Sequence, residues 1–168
     1  MSAHHEHRAA APRHVRCAVL TISDTRSIET DTGGALLSSE LPGAGHEVVV
    51  RQILRDEPDD VRARVRELAE DPRIDAILTT GGTGITSRDS TYEAIEGLLE
   101  KRLDGFGELF RFLSYAEVGP AAMLSRATAG ALRGKILIAL PGSPDAVRLA
   151  LSKLVLPELG HMVEMARR

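Results

Sequence analysis

The chain has 168 residues, of which 43% are hydrophobic, 27% charged and 3% aromatic, and its formal net charge is -3. This composition is that of an ordinary globular domain. It excludes a disordered or collagen-like chain, and no apolar run reaches the roughly 18 residues that a membrane span needs. Because the chain has neither a basic surplus nor any Trp, we expect no nucleic-acid partner. Because it has no apolar run of membrane-spanning length, we expect no membrane partner. The N-terminus lacks the apolar core of a signal peptide, so we predict a cytoplasmic protein.

The first residues, MSAHHEHRAAAPRH, are polar and Ala-rich and show no periodicity. We therefore predict a flexible N-terminal tail over residues 1–14, followed by a single domain over residues 15–168. His4, His5 and His7 in this tail could bind a stray metal ion. A solvated tail is the preferred interpretation, because no Cys or carboxylate cluster accompanies them at ligand spacing.

Short apolar runs then alternate with amphipathic segments. The pattern predicts strands over residues 16–23, 46–54, 75–80 and 134–140, and helices over residues 30–41, 58–70, 90–100 and 143–156. Residues 104–134 break the alternation and predict a helix around 107–115, a loop, and an antiparallel strand near 126–132. The fold class that follows is α/β: a three-layer domain with a mostly parallel sheet, helices on both faces and one antiparallel strand.

Several residues that could do chemistry are better explained by structure. Cys17 lies in the apolar run RCAVLTIS, which favours a buried thiol over a nucleophile. His46 and His161 are expected at a strand start and near the C-terminal helix, and no G-x-S-x-G motif is present, so acyl-transfer hydrolysis is not supported. A group of apolar residues in 104–134 is predicted to form core or subunit contacts: Phe106, Leu109, Phe110, Phe112 and Leu113.

Four predicted strand ends carry small polar residues and carboxylates, in the segments TISDT, LRDEPDD, TTGGTGITSRD and ALPGSPD. Each segment by itself is also explained by ordinary turn and helix-capping residues. Because the carboxyl ends of parallel strands meet at one edge of a sheet, the four segments should converge there, where open α/β sheets bind ligands. This convergence favours a functional site.

The glycines Gly81, Gly82 and Gly84 remove side chains where backbone amides could approach an anion, which favours a phosphate site. The loop matches neither the Walker pattern nor the dinucleotide fingerprint. Physical chemistry alone therefore indicates an anion site without naming the anion.

Asp89, just beyond the glycines, could either cap the helix that follows it or bind Mg²⁺. Asp56 and Asp24 end two other strands, so three carboxylates would lie near the predicted phosphate site. Carboxylates and phosphates repel each other unless a cation lies between them. A magnesium nucleotide fits this arrangement.

Seven segments in order resemble the molybdenum cofactor biosynthesis family that includes MoaB and MogA. They are TISDT, DTGG, LRDE, ILTTGGTGITSRDSTYEAI, GFGELFR, LSRATAG and ALPGSP, within about residues 15 to 157. The segment FRFLSYAEVGPAAMLSRA is most similar to the MoaB branch. The resemblance implies a doubly wound α/β domain that binds molybdopterin and transfers AMP from Mg-ATP to its terminal phosphate, with release of pyrophosphate. It also implies a homotrimer or homohexamer and, as a further partner, a molybdenum-inserting enzyme of the pathway.

The resemblance also assigns residues. It implies that Asp56 and Asp89 are catalytic and position Mg²⁺ and the nucleotide phosphates. It further implies a phosphate-binding loop formed by Thr80, Gly81, Gly82, Thr83 and Gly84. The pterin or nucleotide pocket would be lined by Ser23, Asp24, Glu108, Ser125, Pro141, Gly142 and Ser143. A phosphate monoester is ionised at neutral pH and needs no strong general base, which agrees with the lack of an activated His or Ser. Two alternatives stay open: a non-catalytic molybdopterin-binding or scaffold oligomer, and a phosphate-binding domain for an unrelated metabolite.

Overall fold

In the computed structural model, which describes residues 11–168, the strands form one six-stranded sheet in the order β2-β1-β3-β6-β5-β4. The strands are β1 Arg16–Ile22, β2 Glu47–Leu54, β3 Ala76–Thr80, β4 Lys101–Arg102, β5 Thr128–Leu132 and β6 Lys135–Leu140. Strands β2, β1, β3 and β6 are parallel, whereas β5 is antiparallel to both of its neighbours. The prediction of a mostly parallel sheet with one antiparallel strand is therefore confirmed.

The helices are α1 Thr32–Gly43, α2 Pro58–Glu70, α3 Thr91–Glu96, α4 Asp104–Val118, α5 Pro144–Ala150 and α6 Leu156–Ala166. A 3₁₀ turn, Gly119–Leu124, follows α4, and a π-helical turn, Leu151–Val155, joins α5 to α6. The helix predicted to end near residue 156 continues because Leu159 and Val163 are fully buried. No helix within residues 11–168 has both the length and the apolar character needed to cross a membrane.

The two faces of the sheet bury separate hydrophobic clusters because successive side chains of a strand point to opposite faces. In β1, Cys17 and Val19 belong to one cluster, with residues of α1, α4, α5 and α6. Ala18, Leu20 and Ile22 belong to the other cluster, with residues of α2. Helices therefore cover both faces, and the sheet edge where the parallel strands end remains available to a ligand.

Burial confirms the expectation for Cys17, which has no solvent exposure and whose thiol pKa is raised to about 12, first by burial and then by Asp75. His46 lies just before β2 and its Nδ1 accepts the Val15 N–H at 3.3 Å. Residues 1–10, with His4, His5 and His7, lie outside the described residues. His14, at the predicted end of the tail, contacts the Gly45 carbonyl at 2.9 Å. The boundary between tail and domain stays a prediction.

The apolar residues of α4 divide between two environments. Phe106 and Phe110, one helical turn apart, are buried in the core. Leu109 and Phe112 on the other side of the helix are 53% and 76% exposed. The helix thus supplies core residues and also leaves an apolar surface.

Candidate functional site

Backbone and side-chain hydrogen bonds join the strand ends in pairs. Ser23 N–H donates to the Leu54 carbonyl at 2.8 Å and so joins the ends of β1 and β2. Gly81 N–H donates to the Leu140 carbonyl at 3.0 Å, and Thr80 Oγ1 donates to the Pro141 carbonyl at 2.9 Å, which joins the ends of β3 and β6. The loops that follow these strands therefore meet at one edge of the sheet.

A cavity of ≈ 440 Å³ lies at this edge. Five residues predicted from the sequence line it: Ser23, Thr80, Gly81, Gly142 and Ser143. Its lining combines hydroxyl groups and the charged side chains of Arg26 and Asp31 with a larger share of apolar surface, a composition suited to a ligand that has both apolar and polar parts.

Two of the predicted glycines are required by the backbone. Gly81 has φ +91° and a Cβ there would lie 2.3 Å from the Ile22 carbonyl oxygen. Gly82 has φ +65° and a Cβ there would lie 2.6 Å from the Thr91 Cβ. Side chains are excluded at both positions, so the loop lies directly against β1 and the start of α3.

Asp31 is a cavity residue that the sequence prediction did not select. It is 2% exposed, and its carboxylate accepts hydrogen bonds from Thr21 Oγ1 at 2.8 Å and Gly34 N–H at 2.9 Å, with Arg51 3.3 Å away. These bonds fix the start of α1 against β1. The signal was available in the motif DTGG, because an aspartate at the start of a predicted helix is a common N-cap whose carboxylate accepts a backbone N–H of the first turn.

Asp24 and Asp56 lie next to each other at the ends of β1 and β2. The Asp56 N–H donates to Asp24 Oδ1 at 3.2 Å, and Asp24 Oδ2 pairs with Arg88 at 3.1 Å. Asp56 Oδ1 accepts from Thr91 Oγ1 at 2.6 Å. Asp24 thus joins the ends of β1 and β2 to the loop that carries Arg88, and Asp56 joins the end of β2 to the start of α3.

Helix capping was one of the two interpretations of Asp89 left open by the sequence, and Asp89 does not cap α3. Its Oδ2 accepts from the Thr86 N–H at 2.9 Å, upstream in the same loop. Hydrogen bonds from the Thr86 side chain and backbone, together with the charge of Arg126, lower the pKa of Asp89. The carboxylate is therefore ionised at neutral pH and lies against Gly84, where a Cβ would be 2.5 Å from Oδ2.

The carboxylates can be tested as magnesium ligands by the chemistry of their oxygens. Within residues 11–168 no group of three or more His, Cys, Asp or Glu side chains could by itself hold a metal ion. Magnesium sites commonly use one or two carboxylates and complete the coordination with water and substrate phosphates. Asp56 and Asp89 fit that second kind of site, in which the ion would bind together with a phosphate-bearing substrate.

Arg126 was also absent from the sequence prediction. Its Nε donates to the Thr83 carbonyl at 2.9 Å, Nη2 donates to the Gly84 carbonyl, and its guanidinium lies 4.7 Å from the centre of the Tyr92 ring. Thr83, in contrast to the exposed Gly84, is buried. The glycine loop is thereby connected to the segment that precedes β5.

The other nine predicted residues do not line this cavity: Asp24, Asp56, Gly82, Thr83, Gly84, Asp89 and Pro141 belong to the adjoining strand-end loops, whereas Glu108 and Ser125 come from the segment between β4 and β5. Glu108 is exposed on α4, and Ser125 follows the 3₁₀ turn, where its N–H donates to the Ala122 carbonyl at 3.0 Å. Ser125 nevertheless adjoins Arg126 in the chain and so lies near the glycine loop. Their assignment to the pocket stays a prediction.

The fold and this edge of the sheet define a class of protein: an α/β domain that can bind a phosphate-bearing ligand between strand ends, with carboxylates beside its glycine loop. Residues 18–161 match a family described as a probable molybdopterin binding domain. Molybdenum cofactor biosynthesis protein B from Bacillus cereus is 50% identical over 158 residues, which cover 94% of each chain. A protein of the same name from Bacillus subtilis is 49% identical over 164 residues, which cover 97% of this chain and 96% of that one.

Solved structures of proteins in the same family have the same fold as this chain. A crystal structure of a molybdenum cofactor biosynthesis protein B has a TM-score of 0.90 and 49% identity, and covers 94% of this chain and 99% of that chain. The crystal structure of the tungsten cofactor synthesizing protein MoaB from Pyrococcus furiosus has a TM-score of 0.84 and 38% identity, and covers 94% of this chain and 100% of that chain. The chain therefore belongs to the MoaB/MogA family of molybdenum cofactor biosynthesis proteins, which carry the probable molybdopterin-binding domain.

Proposed function

We propose that the protein is a molybdopterin adenylyltransferase of molybdenum cofactor biosynthesis, which transfers AMP from Mg-ATP to the terminal phosphate of molybdopterin. The observation that carries this proposal is that Asp56 accepts a hydrogen bond from Thr91 at the start of α3 and Asp89 lies against Gly84, in a glycine loop whose Gly81 borders the cavity. The names of the relatives support the pathway, since those proteins are molybdenum cofactor biosynthesis proteins B.

In the proposed reaction, an oxygen of the molybdopterin phosphate attacks the α-phosphorus of ATP. A new P–O bond forms, the bond between the α-phosphorus and its bridging oxygen breaks, and pyrophosphate leaves. The attacking phosphate is already ionised at neutral pH, so the protein has to align two anions and offset their repulsion. Asp56 and Asp89 would hold Mg²⁺, which supplies the positive charge at the phosphates.

The other residues bind and orient. The Gly81–Gly84 backbone packs closely against β1, Thr91 and Asp89, and the amides that it leaves exposed could bind a phosphate. Ser143 lies at the start of α5, where its Oγ accepts the Ala146 N–H at 3.3 Å and where the helix dipole favours an anion. The reaction product would pass to a molybdenum-inserting enzyme, and all of these steps belong in the cytoplasm.

The direct test is an assay with purified protein, molybdopterin, ATP and Mg²⁺ that follows adenylyl-molybdopterin and pyrophosphate, with EDTA as the control. Magnesium-dependent formation of both products is the expected result. Tight molybdopterin binding without product would contradict the transferase and favour the non-catalytic scaffold.

We also propose that the protein is a homotrimer or homohexamer. The support is an exposed apolar surface on α4 and the 3₁₀ turn that follows it, formed by Leu109, Phe112, Tyr115, Val118, Met123 and Leu124. Such contiguous apolar side chains are unfavourable in water and are typical of subunit contacts.

The apolar surface can be tested with Phe112→Asp, which places a charge on its most exposed member. We expect light scattering after size exclusion to give a lower molar mass for this variant than for the wild type. Met165→Asp is the matched control, because Met165 is also a large exposed side chain, 48% exposed, but lies on α6. An unchanged mass for Phe112→Asp would rule out α4 as the subunit contact.

A further inference from the structure

Arg126 has more contacts to the glycine loop than any role in surface charge would require. Its Nε and Nη2 donate to two consecutive carbonyls, those of Thr83 and Gly84, and Nη1 pairs with Glu93 of α3. The side chain is 23% exposed and stacks on Tyr92. A planar guanidinium presents five donors in a fixed fork and a face that can stack on an aromatic ring, whereas an ammonium has three donors and no such face.

The two carbonyl contacts determine the direction of two backbone amides. The peptides that follow Thr83 and Gly84 are trans, and in a trans peptide the N–H points opposite to the C=O. The N–H groups of Gly84 and Ile85 therefore point away from Arg126. Within the described part of the chain, neither N–H donates a hydrogen bond to another protein group. Successive amides oriented to one side are a common anion-binding arrangement.

The loop has few other attachments. Among residues 11–168, the hydrogen bonds that connect positions 83–89 to other segments come from Arg126 and from the Arg88–Asp24 pair. The Arg88–Asp24 pair is exposed, with Arg88 77% accessible, so it is expected to contribute little. The position of the loop therefore depends mainly on Arg126.

The excursion between β4 and β5 holds Arg126 in place. Gly107 of α4 approaches the chain next to Arg126 so closely that a Cβ would lie 2.7 Å from the Ala127 carbonyl oxygen. Phe106 and Phe110 anchor α4 in the core on either side of this contact. The helix that interrupts the strand–helix alternation thus fixes the segment from which Arg126 extends.

We propose that Arg126 is a positioning residue for the nucleotide phosphates: it holds the glycine loop so that the Gly84 and Ile85 amides and the Asp89 carboxylate are aligned before Mg-ATP binds. This inference rests on the proposed adenylyltransferase function. Arg126 acts through the loop, since its guanidinium is occupied by Thr83, Gly84 and Glu93.

The test compares Arg126→Ala and Arg126→Lys with the wild type, and Arg102→Ala is the matched control. Arg102 also pairs with two carboxylates, Glu96 and Asp104, but its ion pairs within the described chain do not reach the glycine loop. Three quantities are measured: the Kd for Mg-ATP by titration calorimetry, the Kd for molybdopterin, and amide hydrogen exchange over residues 83–89 in the ligand-free protein.

For Arg126→Ala we expect a Kd for Mg-ATP raised about 10- to 100-fold, which is the range for losing charge-assisted hydrogen bonds that preorganise a site. Exchange over 83–89 should be faster, while the Kd for molybdopterin and the Tm change little. Arg126→Lys should recover only a small part of the ATP affinity, because an ammonium lacks the planar fork that donates to both carbonyls while pairing with Glu93 and stacking on Tyr92. Arg102→Ala should match the wild type.

Each contrary result has a separate meaning. Full recovery by Arg126→Lys would show that only the positive charge matters and would overturn the positioning role. An unchanged ATP affinity in Arg126→Ala would overturn it as well. Wild-type protein that binds Mg-ATP but forms no product would reject the transferase and leave the variant affinities as the test of Arg126, whereas wild-type protein that does not bind Mg-ATP would overturn both proposals.

Discussion

Replacing Asp89 with asparagine tests the proposed mechanism with a small structural change. The asparagine would keep a side-chain oxygen that can accept the Thr86 N–H, now 2.9 Å from Asp89 Oδ2. The variant loses the negative charge of the Asp89 carboxylate, whose pKa the hydrogen bonds from Thr86 lower. We therefore expect the free energy of unfolding to fall by less than about 1 kcal/mol, the difference between a charged and a neutral acceptor in a loop.

The effect on the reaction should be much larger. The proposed magnesium site has two protein carboxylates, so Asp89→Asn removes half of the charge that the chain contributes. We expect kcat/KM for adenylylation to fall about 100-fold or more, which corresponds to roughly 2.7 kcal/mol of transition-state stabilisation. The Mg²⁺ concentration for half-maximal rate should also rise, while molybdopterin binding should stay near that of the wild type.

The assay follows pyrophosphate release over a Mg²⁺ titration, and Asp59→Asn serves as the control. Asp59 carries the same side chain in the first turn of α2 and is 98% exposed, paired only with the neighbouring Arg62 among the described residues. Because Asp56 and Asp89 would act on the same ion, the double variant should be about as slow as the slower single variant. A wild-type rate and Mg²⁺ dependence in Asp89→Asn would refute its role in metal positioning.

Three further predictions follow from local geometry. Gly84→Ala would place a Cβ 2.5 Å from Asp89 Oδ2 and should lower kcat/KM about tenfold or more, whereas Gly105→Ala, with nothing within 4 Å, should leave activity unchanged and stability equal or higher. Equal activity of the two variants would contradict the close approach. Burial tends to raise the pKa of Asp75, but the hydrogen bonds and charges of Arg16 and Arg167 outweigh burial and lower that pKa. The ionised Asp75 therefore stabilises the fold above about pH 4, and this stabilisation is lost as the pH falls further. Asp75→Asn should therefore cost about 2 kcal/mol at pH 7 in urea titrations, with a difference from the wild type that shrinks near pH 3; a difference independent of pH would contradict this. Cys17, with its thiol pKa raised to about 12 by burial, should not react with a disulfide reagent at pH 8 until the protein is unfolded in urea; rapid labelling of the native protein would contradict its burial.

Features that depend on neighbouring residues in the chain could be predicted from the sequence. The helical spacing of Val61, Val65 and Leu68 predicted the buried face of α2, and all three are at most 1% exposed. The continuous apolar runs predicted the parallel strands β3 and β6, which are buried on both faces. The glycine loop was predicted from Gly81, Gly82 and Gly84, and Gly81 and Gly82 have positive φ values that other residues rarely adopt, whereas the phosphate site there stays a prediction.

Other features depend on which strands become neighbours, and the tertiary structure decided them. Arg126 reaches Thr83 across 43 positions of the chain, and Thr91 reaches Asp56 across 35. These contacts exist because β6 pairs with both β3 and β5, and β1 with both β2 and β3, and no local period records that order. Side-chain hydrogen bonds also excluded helix capping as the role of Asp89, because its carboxylate accepts from Thr86 upstream in the loop, whereas Mg²⁺ binding stays a prediction. The sequence thus determined the strands, helix faces and tight turns through steric and hydrophobic periodicity, whereas the contacts that complete the site followed only once the sheet had brought distant strand ends together.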